Sequence, residues 1–454
     1  MSIVLLNIPP KTIEERRYDK PNYPDPRLGA LFSYLQRHNV ECDIIDSRLE
    51  RLTLKEIIKR LEAIKPRAMG FSSFTPEVER VSCAANVIKK KFPDAKLIIG
   101  GAHASALPKR TLSEFSVFDI SVFGEGEQTM LNLVENNFEN LTKVQGIAYR
   151  KGKDIIVNKP RPSLNMTEIP AIDWNRFPKA RYYPVFTSRG CPYSCVFCSR
   201  PFGRKVRYRP IDSIIEEIRR IKKLFNPKYI YFWDENFTTD KNRTFALLEN
   251  IRNDRVIKDI KWYCQAHVNN LDYELLKAMK RSGCLRIGIG IESGSEKILS
   301  SIGKAITKEK IIQAVAWIKK LKMPYEGYFL LGLPNENRNT CMETIRFATK
   351  LNPNFPVFGI PAPYPGTKIY NMALQGEGGY KIISRRWKDY NKILGNAMEL
   401  EGLSRRRLQI LQLYGYVSVL LKNFRILDML RFIFQFNEDI MSGIKIFFKK
   451  RTPA

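Results

Sequence analysis

Between residues 1 and 140, short apolar runs alternate with amphipathic stretches: IVLLNIP, RLGALFSYLQRHN, CDIIDS, LKEIIKRLEAIK, AMGFSSF, VERVSCAANVIKKKF, LIIGGAHAS, and FDISVFGEGE before QTMLNLVENNF. The short runs have the continuous apolar character of strands covered on both faces, and the longer stretches repeat apolar positions at helical spacing. Strand and helix in alternation predict an α/β chain opening with a doubly wound parallel, Rossmann-like sheet. Ligands of such sheets bind beyond the carboxyl ends of the strands, where Asn7, Ser72, Ser73, Gly100, Gly101 and residues 124–127 fall.

The pattern dissolves between 141 and 180, where prolines and charges interrupt short extended pieces, as in an interdomain connection. It resumes with VFTSRGC, YIYFWDENF, IKWYCQAHV, CLRIGIGIES, YEGYFLLGLP and FGIPAPYPG, each followed by a helical stretch. Six such strands predict a partial (β/α)6 TIM-type barrel, with its chemistry at the carboxyl ends of the strands. The predicted organisation is a Rossmann-like domain over 1–140, a linker over 141–180, a barrel core over 181–400 and a small helical region over 401–454.

Composition changes this picture little. Lys and Arg total 76 against 46 acidic residues among 454, a surplus of +30 spread along the chain rather than blocked. Such charge attracts nucleic acid, anionic lipid or anionic small molecules without choosing among them. Eight cysteines and no apolar signal segment predict a reducing, cytoplasmic setting rather than a disulfide framework. No apolar stretch is long enough to cross a membrane.

Cys191, Cys195 and Cys198 lie in RGCPYSCVFCSRPFG, on a loop leaving a strand. Three thiolates at C-x-x-x-C-x-x-C suit three corners of a [4Fe-4S] cluster and leave one iron open. A structural zinc site would require a fourth ligand at comparable spacing, and the next cysteine, Cys264, belongs to another strand end.

CPYSCVFC resembles the signature of the radical S-adenosylmethionine (radical SAM) superfamily. YIYFWDENFTTD, GCLRIGIGIESG, GYFLLGLP and PYPGT resemble its later barrel motifs, so the similarity spans roughly 185–370. NIPP, YPDPRLGALFSYL, GGAHASALP and FGEGEQT resemble the cobalamin-binding domain of the cobalamin-dependent subfamily. The resemblance implies that Cys191, Cys195 and Cys198 hold the cluster and that S-adenosylmethionine chelates the open iron. An electron from a donor such as flavodoxin or ferredoxin then releases a 5′-deoxyadenosyl radical. It also implies S-adenosylmethionine contacts from Glu235, Glu292, Phe197 and Leu333, the last two beside the adenine. Glu292 has the alternative of pairing with a barrel-mouth arginine such as Arg286. Asn7, Ser72, Ser73, Gly100, Gly101, His103 and Glu125 correspond to the cobalamin side, with a helix cap or turn as the other reading of His103. None of the three histidines, His38, His103 and His267, has Asp two residues earlier, so the expected cobalamin is base-off with no histidine axial ligand.

The implied reaction is methyl transfer from methylcobalamin to an unactivated carbon. Cyclisation or another carbon-skeleton reaction without methyl transfer uses the same motifs. A basic RNA-binding or RNA-modifying protein is a third reading, opposed by having only Cys42 and Cys83 in the N-terminal half and no recognisable RNA module. The basic, aromatic C-terminus reads either as helices packing on the barrel or as an amphipathic segment on an anionic membrane. The second option carries with it a lipid-like substrate and a membrane-peripheral location; the first leaves a small molecule in the cytoplasm.

Overall fold

The structure, a computed structural model, describes residues 2–8, 23–392 and 396–430. The N-terminal sheet contains β1 (Ile3–Asn7), β2 (Cys42–Asp46), β3 (Ala68–Ser72), β4 (Lys96–Gly100), β5 (Ile120–Val122), β6 (Ile147–Lys151) and β7 (Asp154–Val157). Their order is β2-β1-β3-β4-β5-β6-β7, parallel through β5, with β6 and β7 antiparallel. The reversal of order beside β1 opens the crevice where doubly wound sheets take ligands. The crossover helices start where local chemistry directs. Asp25 caps the helix Pro26–Arg37 with Pro26 in its first turn, and Thr53 and Glu56 form a capping box on Leu54–Ile64.

β6 and β7 correct the expectation of a plain connection over 141–180. They form a hairpin closed at Gly152, where φ is +61°, and β6 pairs onto β5. Further along, Leu164, Met166, Ile169, Ile172, Trp174 and Phe177 are buried between the two sheets' helices and join one continuous core. Their spacing follows neither a strand nor a helix because they fit between two bodies, so the sequence shows no period there.

The second sheet contains β8 (Tyr182–Val185), β11 (Tyr229–Phe232), β12 (Trp262–Ala266), β13 (Cys284–Glu292), β14 (Tyr325–Leu330) and β15 (Phe355–Gly359). All six are parallel in the order β15-β14-β13-β12-β11-β8, an open partial barrel as the pattern predicts. Between β8 and β11 a two-residue ribbon pairs β9 (Ser188–Arg189) with β10 (Arg207–Tyr208) and brackets the cysteine loop. Two last strands, β16 (Tyr380–Ile382) and β17 (Met398–Leu400), form a hairpin.

The helix Arg405–Lys422 packs on the barrel: Gln412 donates to the Phe358 carbonyl at 2.6 Å, and the Gly415 backbone lies against the Phe358 ring. For these residues the packing alternative describes the C-terminal region, while residues 431–454, where a membrane-surface segment was expected, lie outside the described residues. Among those described, no helix is long and apolar enough to cross a membrane.

Candidate functional site

The cysteine loop is fastened to the barrel at both flanks. Cys191 N–H donates to Gly203 at 3.2 Å, Val196 N–H to Ile302 at 3.0 Å, and Ile369 N–H to Val196 at 3.0 Å. The Tyr193 ring stacks on His267 at 3.6 Å, and its hydroxyl donates to Asn270 at 2.8 Å. His267 Nε2 lies 3.1 Å from the Lys304 carbonyl, and burial beside that lysine lowers its pKa to about 3, so the ring stands as a neutral prop. Gly303 has φ +67°, and a Cβ there would lie 2.6 Å from the Ser194 carbonyl oxygen. Only glycine fits this close crossing.

Cys191 and Cys195 are half-buried and Cys198 is exposed; all three are free thiols. Burial and the neighbouring thiols push Cys195 up to about 11 and Cys198 up to about 12. Glu235 and Glu292 act on the same thiols, which puts both carboxylates beside the loop. Burial, followed by the Asp234 charge, raises Glu235 to about 6. Its neighbour Asp234 faces inward and holds the loop root, accepting from Thr187 N–H at 3.1 Å and from the Ser188 hydroxyl at 2.5 Å.

Glu292 differs from the simplest expectation. Its partner is Lys304, not Arg286, which pairs with Glu326 at 3.0 Å. A register shift between Gly290 and Glu292, with Glu292 at φ +64°, turns that carboxylate toward the loop 302–305. Lys304 was missed by sequence reasoning; nothing marks it among 76 basic residues until folding buries it beside Glu292 and Cys195. Phe197 is half-buried against the main core, whereas Leu333 is fully buried. The Leu333 side chain belongs to the main hydrophobic core, and its backbone N–H donates to Glu336 at 2.9 Å.

At the edge of the N-terminal sheet several predicted ligand contacts are already engaged within the protein. Asn7 is buried, donating to Asp46 at 3.1 Å and Asp25 at 3.3 Å. Ser73 is fully buried, with its hydroxyl on the Phe74 carbonyl at 3.0 Å. Gly101 has φ +95°, and a Cβ would lie 2.6 Å from the Ser73 carbonyl oxygen, so backbone packing accounts for this glycine. His103 is fully buried at the start of a short helix, Nδ1 at 3.3 Å from Thr75 and its ring edge against Trp387 at 4.8 Å. Glu125 is ion-paired with Arg207 and accepts from Leu164 N–H at 3.0 Å. Ser72 and Gly100 remain half-exposed, and a Cβ at Gly100 would meet nothing closer than 3.8 Å.

Glu125 and Glu127 together receive Arg189, which immediately precedes Gly190 and Cys191. Arg189 is buried, 2.5 Å from Glu127 and 3.6 Å from Glu125, and its guanidinium lies 4.9 Å over Phe202. The root of the cysteine loop is therefore pinned to the ligand edge of the N-terminal sheet by a buried ion network.

The Radical SAM superfamily model matches residues 185–348 and the B12 binding domain model residues 21–134. An uncharacterized methyltransferase of Pyrococcus horikoshii is 31% identical over 92% of each chain. The chain belongs to the cobalamin-dependent radical SAM family. An anaerobic magnesium-protoporphyrin IX monomethyl ester cyclase of Cereibacter sphaeroides is 25% identical, over 77% of this chain and 60% of its own length. The radical S-adenosylmethionine methyltransferase TsrM of Kitasatospora setae, solved with tryptophan and a SAM analogue, has the same fold: TM-score 0.73, 17% identity, 92% of this chain and 88% of that one.

The residues present fit the cofactors of a radical SAM enzyme. Three free thiols on one anchored loop suit the corners of an iron–sulfur cube. The half-exposed, small-residue edge at Ser72 and Gly100 suits close approach of a broad ligand to the backbone.

Proposed function

We propose that this radical SAM enzyme is a C-methyltransferase that moves a methyl group from cobalamin to an unactivated carbon of a small molecule. One observation carries the reading. The buried pairing of Arg189 with Glu125 and Glu127 holds the cysteine loop against the ligand edge of the B12-type sheet, which supports a reaction shared between a cluster on that loop and cobalamin on that edge. The cofactors supply a carbon-centred radical and a transferable methyl; the chain supplies placement.

In this reading Cys191, Cys195 and Cys198 ligate the cluster, and Glu235 receives the methionine ammonium of S-adenosylmethionine as a charge-assisted partner. Glu292, fixed by Lys304, orients the polar end, and Phe197 borders the adenine. Ser72 and Gly100 would border cobalamin, and no histidine would be offered to it: His38 lies against Tyr34, His103 is enclosed by Thr75 and Trp387, and His267 props the cysteine loop. A flavodoxin or ferredoxin serves as electron donor.

Cyclisation is the second reading, favoured by the likeness to the magnesium-protoporphyrin cyclase. Anaerobically reconstituted protein given cob(I)alamin and S-adenosylmethionine separates the two. Methylcobalamin and S-adenosylhomocysteine in equal amounts are expected. Deoxyadenosine without any S-adenosylhomocysteine would overturn methyl transfer in favour of cyclisation.

A further inference from the structure

Four cationic side chains are buried among the described residues: Arg189, Arg209, Lys304 and Arg405. Three of them face a carboxylate. Arg189 pairs with Glu127 at 2.5 Å, Arg209 with Glu217 at 2.7 Å, and Lys304 with Glu292. Arg405, only 4% exposed, has no acidic side chain at ion-pairing distance among the described residues. Its guanidinium makes one hydrogen bond, from Nη2 to the Asn391 carbonyl at 3.4 Å, and Nε is buried without a partner. Glu399 is engaged by the backbone instead, accepting from Arg405 N–H at 3.2 Å. Burial lowers the Arg405 pKa to about 10, which leaves the group cationic at neutral pH. A buried cation without a counter-charge destabilises a fold, and an anion that binds the folded state completes it.

The helix Arg405–Lys422 runs antiparallel to β15, which decides where this cation lies. Arg425, just past the helix, donates to the Pro353 and Asn354 carbonyls at the start of the strand, and Gln412 donates to Phe358 near its end. Leu408 lies against Gly332, just after β14. Arg405 is about one turn earlier still, beyond the carboxyl ends of β14 and β15. That is the side of the barrel carrying Cys191, Glu235 and Glu292. Its neighbour Tyr364, in the loop after β15, has Glu77 of the N-terminal half as a further charged neighbour. Two residues on, a Cβ at Gly366 would lie 3.3 Å from Ala106. The guanidinium thus stands where the barrel mouth meets the N-terminal sheet.

We propose that Arg405 binds an oxyanion, the carboxylate or phosphate of the methyl acceptor, and that the acceptor is therefore an anionic molecule. The assignment to the acceptor rests on the methyltransferase reading. A guanidinium presents its N–H groups in a planar fork that matches a carboxylate or phosphate. An amide or hydroxyl of a neutral ligand would accept a hydrogen bond and leave the charge uncompensated. S-adenosylmethionine also brings a carboxylate, but the cysteine loop follows β8 and Glu235 follows β11, at the opposite edge of the sheet from β15.

Thermal unfolding of the full-length reconstituted protein in sodium phosphate and in sodium chloride, at equal ionic strength, tests this. Phosphate is expected to raise the melting temperature of wild type along a saturating curve, as a ligand of the folded state does. In Arg405→Met the curve is expected to vanish or to shift its midpoint by about tenfold or more, the weight of a charge-assisted hydrogen bond. In chloride, Arg405→Met is expected to melt no lower than wild type, whereas Arg209→Met, which strands Glu217, is expected to melt lower. No phosphate effect in wild type overturns the proposal. An equal effect in Arg405→Met means an adventitious ion only, and a chloride melting point as low as that of Arg209→Met makes Arg405 structural; either result also overturns it. Should Arg405→Met not fold, Arg405→Gln is read in the same way, and failure of both to fold counts against the proposal.

Two further measurements separate the sources of the oxyanion. Equilibrium dialysis of S-adenosylmethionine and the bound corrinoid content are expected to match between wild type and Arg405→Met; loss of either assigns the anion to that cofactor and overturns the acceptor assignment. Methylcobalamin formation by wild type is read on its own. If it occurs without a phosphate effect, the anion site alone fails. If the phosphate effect depends on Arg405 and no methylcobalamin forms, the methyltransferase reading alone fails.

Discussion

Glu336 illustrates how a single side chain shapes the barrel mouth. Its Oε2 accepts from Gly332 N–H at 2.6 Å and Leu333 N–H at 2.9 Å, while Oε1 is buried without a partner. Burial dominates and raises its pKa to about 7. A carboxyl raised on folding binds more protons in the folded than in the unfolded chain, so its contribution falls as pH rises from the unfolded value near 4.5 through 7. Glu336→Gln keeps an acceptor and removes the titration. Urea midpoints followed from pH 5 to pH 8.5 are therefore expected to fall less in the variant than in wild type, by on the order of 3 kcal/mol at the alkaline end. At the same scale, Cys191→Ala, Cys195→Ala or Cys198→Ala is expected to abolish the cluster's charge-transfer absorption and deoxyadenosine formation. Retention of both would refute their assignment as ligands.

At the scale of elements, the cysteine loop depends on a neighbour far along the chain. The turn 302–305 lies under it, with Gly303 against the Ser194 carbonyl and Ile302 accepting from Val196 N–H. Gly303→Ala introduces a Cβ into that contact at a positive φ, a strain of about 1 to 2 kcal/mol before the steric overlap is counted. Iron and sulfide content after reconstitution is expected to drop while far-UV circular dichroism stays unchanged. The hairpin of β6 and β7 was legible in retrospect from IAYRKGKDIIV, two extended runs about a glycine turn, but charges and flanking prolines obscured it. The strands of both parallel sheets were legible in advance because burial on two faces demands continuous apolar runs.

At the scale of the whole molecule, three regions are locked together around the site. Arg189 joins the cysteine loop to the N-terminal sheet, and Trp387 returns from beyond the barrel to that sheet. Its indole donates to Glu114 at 2.5 Å, and its backbone N–H donates to Glu79 at 2.6 Å. Arg189→Met leaves Glu127 buried without its cation and is expected to destabilise the protein by about 3 to 5 kcal/mol. Differential scanning calorimetry checks the loss of stability. The same substitution is expected to lower the yield of methylcobalamin relative to bound cobalamin, since the loop root loses its hold on the facing sheet.

The sequence by itself determined the two-sheet architecture, the three-cysteine loop and the family, because strand periodicity and short motifs are local and survive without tertiary context. Only the tertiary structure decided what the polar residues at the strand ends do. Asn7, Ser73, His103 and Glu125 occupy ligand-edge positions in the sequence, yet their side chains meet Asp46, Phe74, Thr75 and Arg207. Lys304 and Arg189 resemble every other basic residue until folding buries them beside Glu292 and Glu127. The tyrosine face of the barrel was written in alternate positions of β8, β11 and β12, but the stacking of Tyr231 on Tyr263 and of Tyr182 on Tyr229 depends on the register of strands far apart in sequence. The physical reason is common to all of these: a side chain's partner is set by distance in space, and hydrophobic pattern reports only which face of an element is covered.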